Sequence, residues 1–281
     1  MASAPVLLPG RSWPNLVMHV LAHVSATAHL PASLYDSIYI GYAERYLGMS
    51  GQRPLGEDAA VLGQVLPTHE RLSQVQLLAW LFDDVAQAAV CAQDDLARLA
   101  PDQVARPQLL GALIPLGASV ELLRCAALLE HDAQVRLPDL AVQRPPFSKA
   151  LAEVVRAAPR LQACGLMSVP ALRLRGRVFG DEIWVGTPAP ELALEADHVA
   201  WQAGHEATVR EVSEAAPSPR HERQVEQVAV VLLAERAAEA GLRDGHAKWL
   251  SHFGEAALET DRARLDDDAL ALLIACHRRP A

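Results

Sequence analysis

Apolar residues recur at helical spacing through almost all of this chain, and over one stretch alone, about 171–186, does the period drop to two. That switch sets the expected fold: mainly α, a multi-helix bundle-like architecture with one small β-hairpin (about 171–186) in the C-terminal half. Composition points the same way. The chain of 281 residues is 51% hydrophobic but only 5% aromatic, so its core must be built mainly from Ala, Leu and Val, which suits close helix packing and argues against an all-β architecture.

Start and stop signals place the helices. Ser12 and Pro14 precede an apolar segment from Asn15 to His29, and Ser33 caps a second from Leu34 to about Leu47. A shorter segment follows near Glu57 to Val65. A long helix then runs from Pro67 to about Leu99, with Leu72, Val75, Leu78, Phe82, Val85, Ala89 and Leu96 at helical spacing. Helical pattern returns over 107–113 and 119–131, and in the second half at about Ser148 to Ala157, Pro190 to Ala215, Pro219 to Ala240, Asp244 to Phe253 and Asp266 to His277. The last carries three aspartates at its start and two arginines at its end, in the sense that complements a helix dipole. In the hairpin, Gly180-Asp181 reads as a two-residue turn, and so small a unit must lie on helices or pair with a further strand. Pro138, Pro145 and Pro146 mark 138–147 as a Pro-rich linker between an N-terminal helical domain, 1–137, and a C-terminal one, 148–281.

Charge and cysteine usage narrow the function classes. With 25 Lys plus Arg against 34 Asp plus Glu, the net charge of −9 argues against a nucleic-acid binder and against a polybasic membrane-surface protein. All but two of the basic residues are Arg, so only Lys149 and Lys248 are available for Schiff-base chemistry. Neither a secretory signal nor an apolar run of the roughly 18–20 residues of a membrane span is legible. The four widely spaced cysteines read as reduced thiols. A cytoplasmic protein with no membrane partner is therefore expected.

Polar clusters supply the candidate sites. All four tyrosines, Tyr35, Tyr39, Tyr42 and Tyr46, make one stripe on the second helix, which is either a packing seam or a ligand- or partner-binding surface, since each ring offers apolar area and a hydroxyl needing a partner. Arg173, Arg175 and Arg177 alternate along the first strand and present a candidate anion-binding face, or simply its solvated side. In the helix that follows the hairpin, His198 and His205 share the apolar sector with Trp201, while Glu206 and Glu195 stand at its edge. Inward histidines need partners, so such a cluster can hold a metal, move protons or close hydrogen bonds in a core.

Two of these patterns resemble zinc-protease motifs. His19, His23 and His29 form H-x3-H-x5-H, a spacing similar to that of metzincin ligands, with Val20 and Ala26 where that motif has its base and its turn glycine. A hairpin followed by a helix bearing His205-Glu206 resembles the layout of a zincin active site. The resemblance implies zinc as cofactor, His205 as a ligand and Glu206 as the catalytic base, and His198 and His221 are the candidate further metal ligands. Val209 occupies the second ligand position of H-E-x-x-H. Phosphate-loop, dinucleotide-fold and serine-hydrolase signatures are absent from the sequence, as is the second E-x-x-H of a di-iron bundle.

Two functions follow as expectations. The first is a helical interaction or accessory protein that binds a protein partner or a second copy of itself. Its rival is a metal-dependent, zincin-like hydrolase, active or degenerate, centred on His205 and Glu206.

Overall fold

A computed structural model describes residues 5–7, 12–27, 41, 45, 80, 144–169, 171–172, 176–186, 196–216, 222–251 and 262–278. Among them the chain is mainly helical, with six α-helices and a small sheet, as the periodicity predicts. No helix among the described residues is long and apolar enough to cross a membrane.

The chain enters through a two-residue strand, β1 (Val6–Leu7), and a first helix, α1 (Ser12–Thr27). Pro14 falls in the first turn of α1, where its missing N–H has no intrahelical acceptor to lose. Val17, Met18, Val20, Leu21 and Ala22 are fully buried, and His19 nearly so, so over 17–22 α1 is enclosed on all sides rather than amphipathic.

The next element among the described residues, α2, spans Arg144–Val154. Of the expected Pro-rich linker, 138–143 lies outside the described residues, whereas Arg144 to Phe147 is helical and Phe147 is fully buried. Pro145 and Pro146 thus stand at a helix start, the one part of a helix that tolerates them.

The sheet is larger than the expected hairpin. Strands β3 (Gly176–Phe179) and β4 (Glu182–Val185) pair antiparallel around Gly180, whose φ of 56° is the left-handed value a tight hairpin turn requires. The unforeseen strand β2 (Gly165–Ser168) runs parallel to β4, and β1 runs parallel to β2, giving the order β1-β2-β4-β3. Residues from 1–137 and from 148–281 therefore share one sheet. Register puts Leu166, Ile183 and Val185 on the face that packs into the C-terminal core, and Met167 and Trp184 on the opposite face. Both faces are closed, for Met167 and Trp184 are also fully buried. Phe179 meets Trp184 at 4.5 Å between ring centroids and stacks with Trp80 at 6.3 Å.

Among the described residues four helices follow the sheet: α3 (Ala196–Ala215), α4 (Glu222–Glu239), α5 (Arg243–Ser251) and α6 (Asp267–Arg278). The α4–α5 corner is a Schellman turn. Gly241, at φ 72°, lets the Leu242 N–H reach the Ala237 carbonyl at 2.7 Å and its own N–H reach Ala238 at 3.1 Å. Asp266 caps α6 by accepting from the Ala269 N–H at 2.8 Å, as the acidic run predicts.

Helix α3 is the axis of this half. Its residues Val199, Ala200, Trp201, Ala203 and Ala207 share one core with α2, the sheet, Leu233 and Trp249, while Val212 joins a second with Val225, Val228, Val231, Leu272 and Leu273. Small residues let neighbours approach: a Cβ built on Gly204 would stand 2.5 Å from Val154 Cγ1.

Candidate functional site

Adjacent positions on α3 point to different neighbours, because successive helical residues lie about 100° apart. His205, 2% exposed, turns towards α4, where its Nε2 meets the Glu226 carboxylate at 3.0 Å. Glu206 turns towards the edge strand β3. Its Oε1 accepts from the Gly176 N–H at 3.1 Å and from Gln202 Nε2 at 2.8 Å. The contact with Gly176 is close enough to specify glycine, since a Cβ there would fall 2.5 Å from Glu206 Cγ. Burial pushes the Glu206 carboxyl above its ordinary value, opposed by the nearby His205, Arg177 and Gln202 and reinforced by Glu226.

Around His205 the helices assemble alternating indole and imidazole rings. Trp201 meets His246 edge-on, His246 meets Trp249, and Trp249 meets His205, each at 5.4 Å between centroids. His246, on α5, is 4% exposed, and burial first and His205 second depress its pKa from 6.5 to about 4, so the ring is neutral near pH 7. The sequence offered a signal for this pair, because His246 and Trp249 are three apart and share a helix face. Glu226 had none: it is brought to His205 only by the packing of α4 against α3.

Of the remaining expected site residues, some lie on other parts of the described elements and the rest fall outside the described residues. His198 is buried on α3, two helical turns before His205. His221 lies outside the described residues. His19 is buried in α1, and His23 follows one turn later, with its side chain, like the whole of His29, outside the description. Arg177 sits on β3 opposite Trp184, whereas Arg173, Arg175 and the four tyrosines, Tyr35, Tyr39, Tyr42 and Tyr46, are not among the described residues.

Among the described residues the donors expected for a zincin metal are not brought together. No group of three or more His, Cys, Asp or Glu converges as a ligand set among the described residues. Val209 stands one turn beyond His205, and Glu206 is engaged with a backbone N–H and an amide.

A second set of contacts braces the same helix. Arg236 of α4 forms two parallel bonds of 2.8 Å with Glu211, which is 4% exposed. Arg210 reaches Asp181 in the hairpin turn at 2.6 Å and Glu214 at 3.0 Å. Comparison with family models, with curated proteins and with solved structures finds no match for this chain.

Proposed function

We propose that the chain is a cytoplasmic helical interaction or accessory protein that binds a protein partner or a second copy of itself, and that its His and Glu cluster serves architecture. The observation that carries this reading is the engagement of Glu206. A carboxylate that accepts from the Gly176 N–H and from Gln202 joins α3 to the edge strand. Both bonds fall on Oε1, so that oxygen is committed to the joint between helix and strand, and losing it would leave two buried donors without an acceptor. The tyrosine stripe supplies the binding surface. Light scattering of the purified chain, alone and with a candidate partner, tests this against the variant Tyr39→Ala/Tyr42→Ala. Self-association or a stoichiometric complex that the double variant loses supports the reading, and a strict monomer that forms no such complex contradicts it.

One contact favours the second reading, a zincin-like hydrolase, active or degenerate: Glu226 and His205 place two metal-competent donors 3.0 Å apart. A third donor would have to come from outside the described residues, with His221 the nearest in sequence to α4. Elemental analysis of protein purified without a His tag separates the two. Stoichiometric zinc with a melting temperature that falls in chelator supports the hydrolase-like reading, and neither result leaves it without support.

A further inference from the structure

A pocket of about 170 Å³ lies where α2, the start of α3 and the α4–α5 corner meet, walled by Ala150, Val154, Trp201, Gly241, Leu242 and Gly245. Glu153, Asp197 and Asp244 bring three carboxylates to it from three different helices. Asp197 and Asp244 stand in first turns, where an acid complements the helix dipole, but Glu153 stands in the last turn of α2, where it opposes one. None of the three has an ion-pair or hydrogen-bond partner among the described residues.

Trp201 makes an independent observation. Its side chain is buried, with the residue 4% exposed, and its indole N–H has no hydrogen-bond partner among the described residues. Nε1 is the atom nearest a Cβ built on Gly245, at 3.1 Å, so the N–H edge runs along the pocket's glycine wall. Nε1 keeps some solvent contact, so the N–H is open to an acceptor that enters the pocket. The pocket thus offers acceptors for a positively charged donor and one donor for a neighbouring acceptor. It is also smaller than the roughly 300–1,000 Å³ of pockets that take drug-sized ligands, so it suits a group of a few heavy atoms.

We propose that this pocket binds a primary ammonium group adjacent to a carbonyl. The ammonium donates to Glu153, Asp197 and Asp244, and the carbonyl accepts from Trp201. That chemistry belongs both to small amino-acid amides and to the free amino terminus of a peptide. It is independent of the tyrosine stripe.

Calorimetric titration of the full chain with glycinamide, N-acetylglycinamide and triglycine amide tests the proposal. Glycinamide should bind about tenfold or more tightly than its acetylated form, because acetylation removes the charged donor. Tighter binding of triglycine amide would identify a peptide terminus as the source, and equal binding a free amine. Asp197→Asn/Asp244→Asn should weaken glycinamide by about tenfold or more. Gly245→Ala should weaken it too, since its methyl meets the indole N–H edge. Alanine is the better helix former, so an unchanged or raised melting temperature shows that this variant is folded. No binding, equal binding of the acetylated probe, or full binding by folded Gly245→Ala and Asp197→Asn/Asp244→Asn overturns the assignment.

Discussion

Glu206 and Glu211 lie five positions apart on α3 and both are buried, yet they are accommodated by different physics. Glu211 meets a guanidinium, the Arg236 fork, at 2.8 Å through both oxygens. Glu206 meets neutral donors, a backbone N–H and a side-chain amide. An ion pair offsets the desolvation of a carboxylate by direct attraction, whereas neutral donors compensate only in part and the proton becomes the remaining recourse. Hence the Glu206 carboxyl is pushed up by burial. One helix therefore carries a charged brace towards α4 and a proton-sensitive pin towards the sheet.

The largest effect expected from this contrast is at the brace. Arg236→Ala leaves Glu211 buried without its partner and should cost about 3–5 kcal/mol in urea unfolding, while Glu211→Leu/Arg236→Met should cost far less because no lone charge remains. Equal losses in the single and double variants would refute the distinction. Next comes the pin. Glu206→Ala removes the acceptor of two buried donors and should cost about 1–3 kcal/mol. Gly176→Ala should cost a similar amount, about 1–3 kcal/mol, by overpacking against the Glu206 side chain. If the close approach is the cause, Gly176→Ala becomes nearly harmless once Glu206 is alanine, and a double-mutant cycle that adds without coupling would contradict the contact.

Smallest per pH unit is the effect of His246. Its folded pKa of about 4 lies below the ordinary 6.5. The unfolded chain therefore takes up the proton first, and stability present above pH 6.5 is lost as pH falls towards 4. The slope approaches about 1.4 kcal/mol per unit. His246→Phe should flatten that part of the stability profile, and an unchanged slope would assign it to another group.

Legibility in the sequence followed the range of the interactions involved. Helices α3, α4 and α6 are written in local spacing and caps, so Asp266 and the aspartates after it announce α6 directly. Strand β2 is four residues, Gly-Leu-Met-Ser, without alternation. It is a strand because β1 and β4 flank it, and those pairings join residues far apart in the chain. The start of α2 was obscured by Pro145 and Pro146, which serve a linker and a helix first turn equally well. At the site, the inward setting of His198 and His205 was readable from the wheel, and both are buried. What those rings touch was not. Glu226, His246 and Trp249 arrive on other helices, and Gly176 reveals its role only through the 3.1 Å bond from its N–H to Glu206.

The central claim is that Glu206 pins the sheet to α3 through a joint that the protonated carboxyl favours. Urea unfolding of Glu206→Gln beside the wild type, from pH 4 to pH 8, tests it most directly. Glutamine keeps the acceptor oxygen but has no proton to lose. A carboxyl with a raised folded pKa contributes stability below its ordinary value and loses it as pH rises through the raised one. The variant should therefore match the wild type in acid and become progressively the more stable of the two towards pH 8. A variant that instead falls increasingly below the wild type as pH rises would show that the ionised carboxylate is the form the fold requires, and would contradict the account.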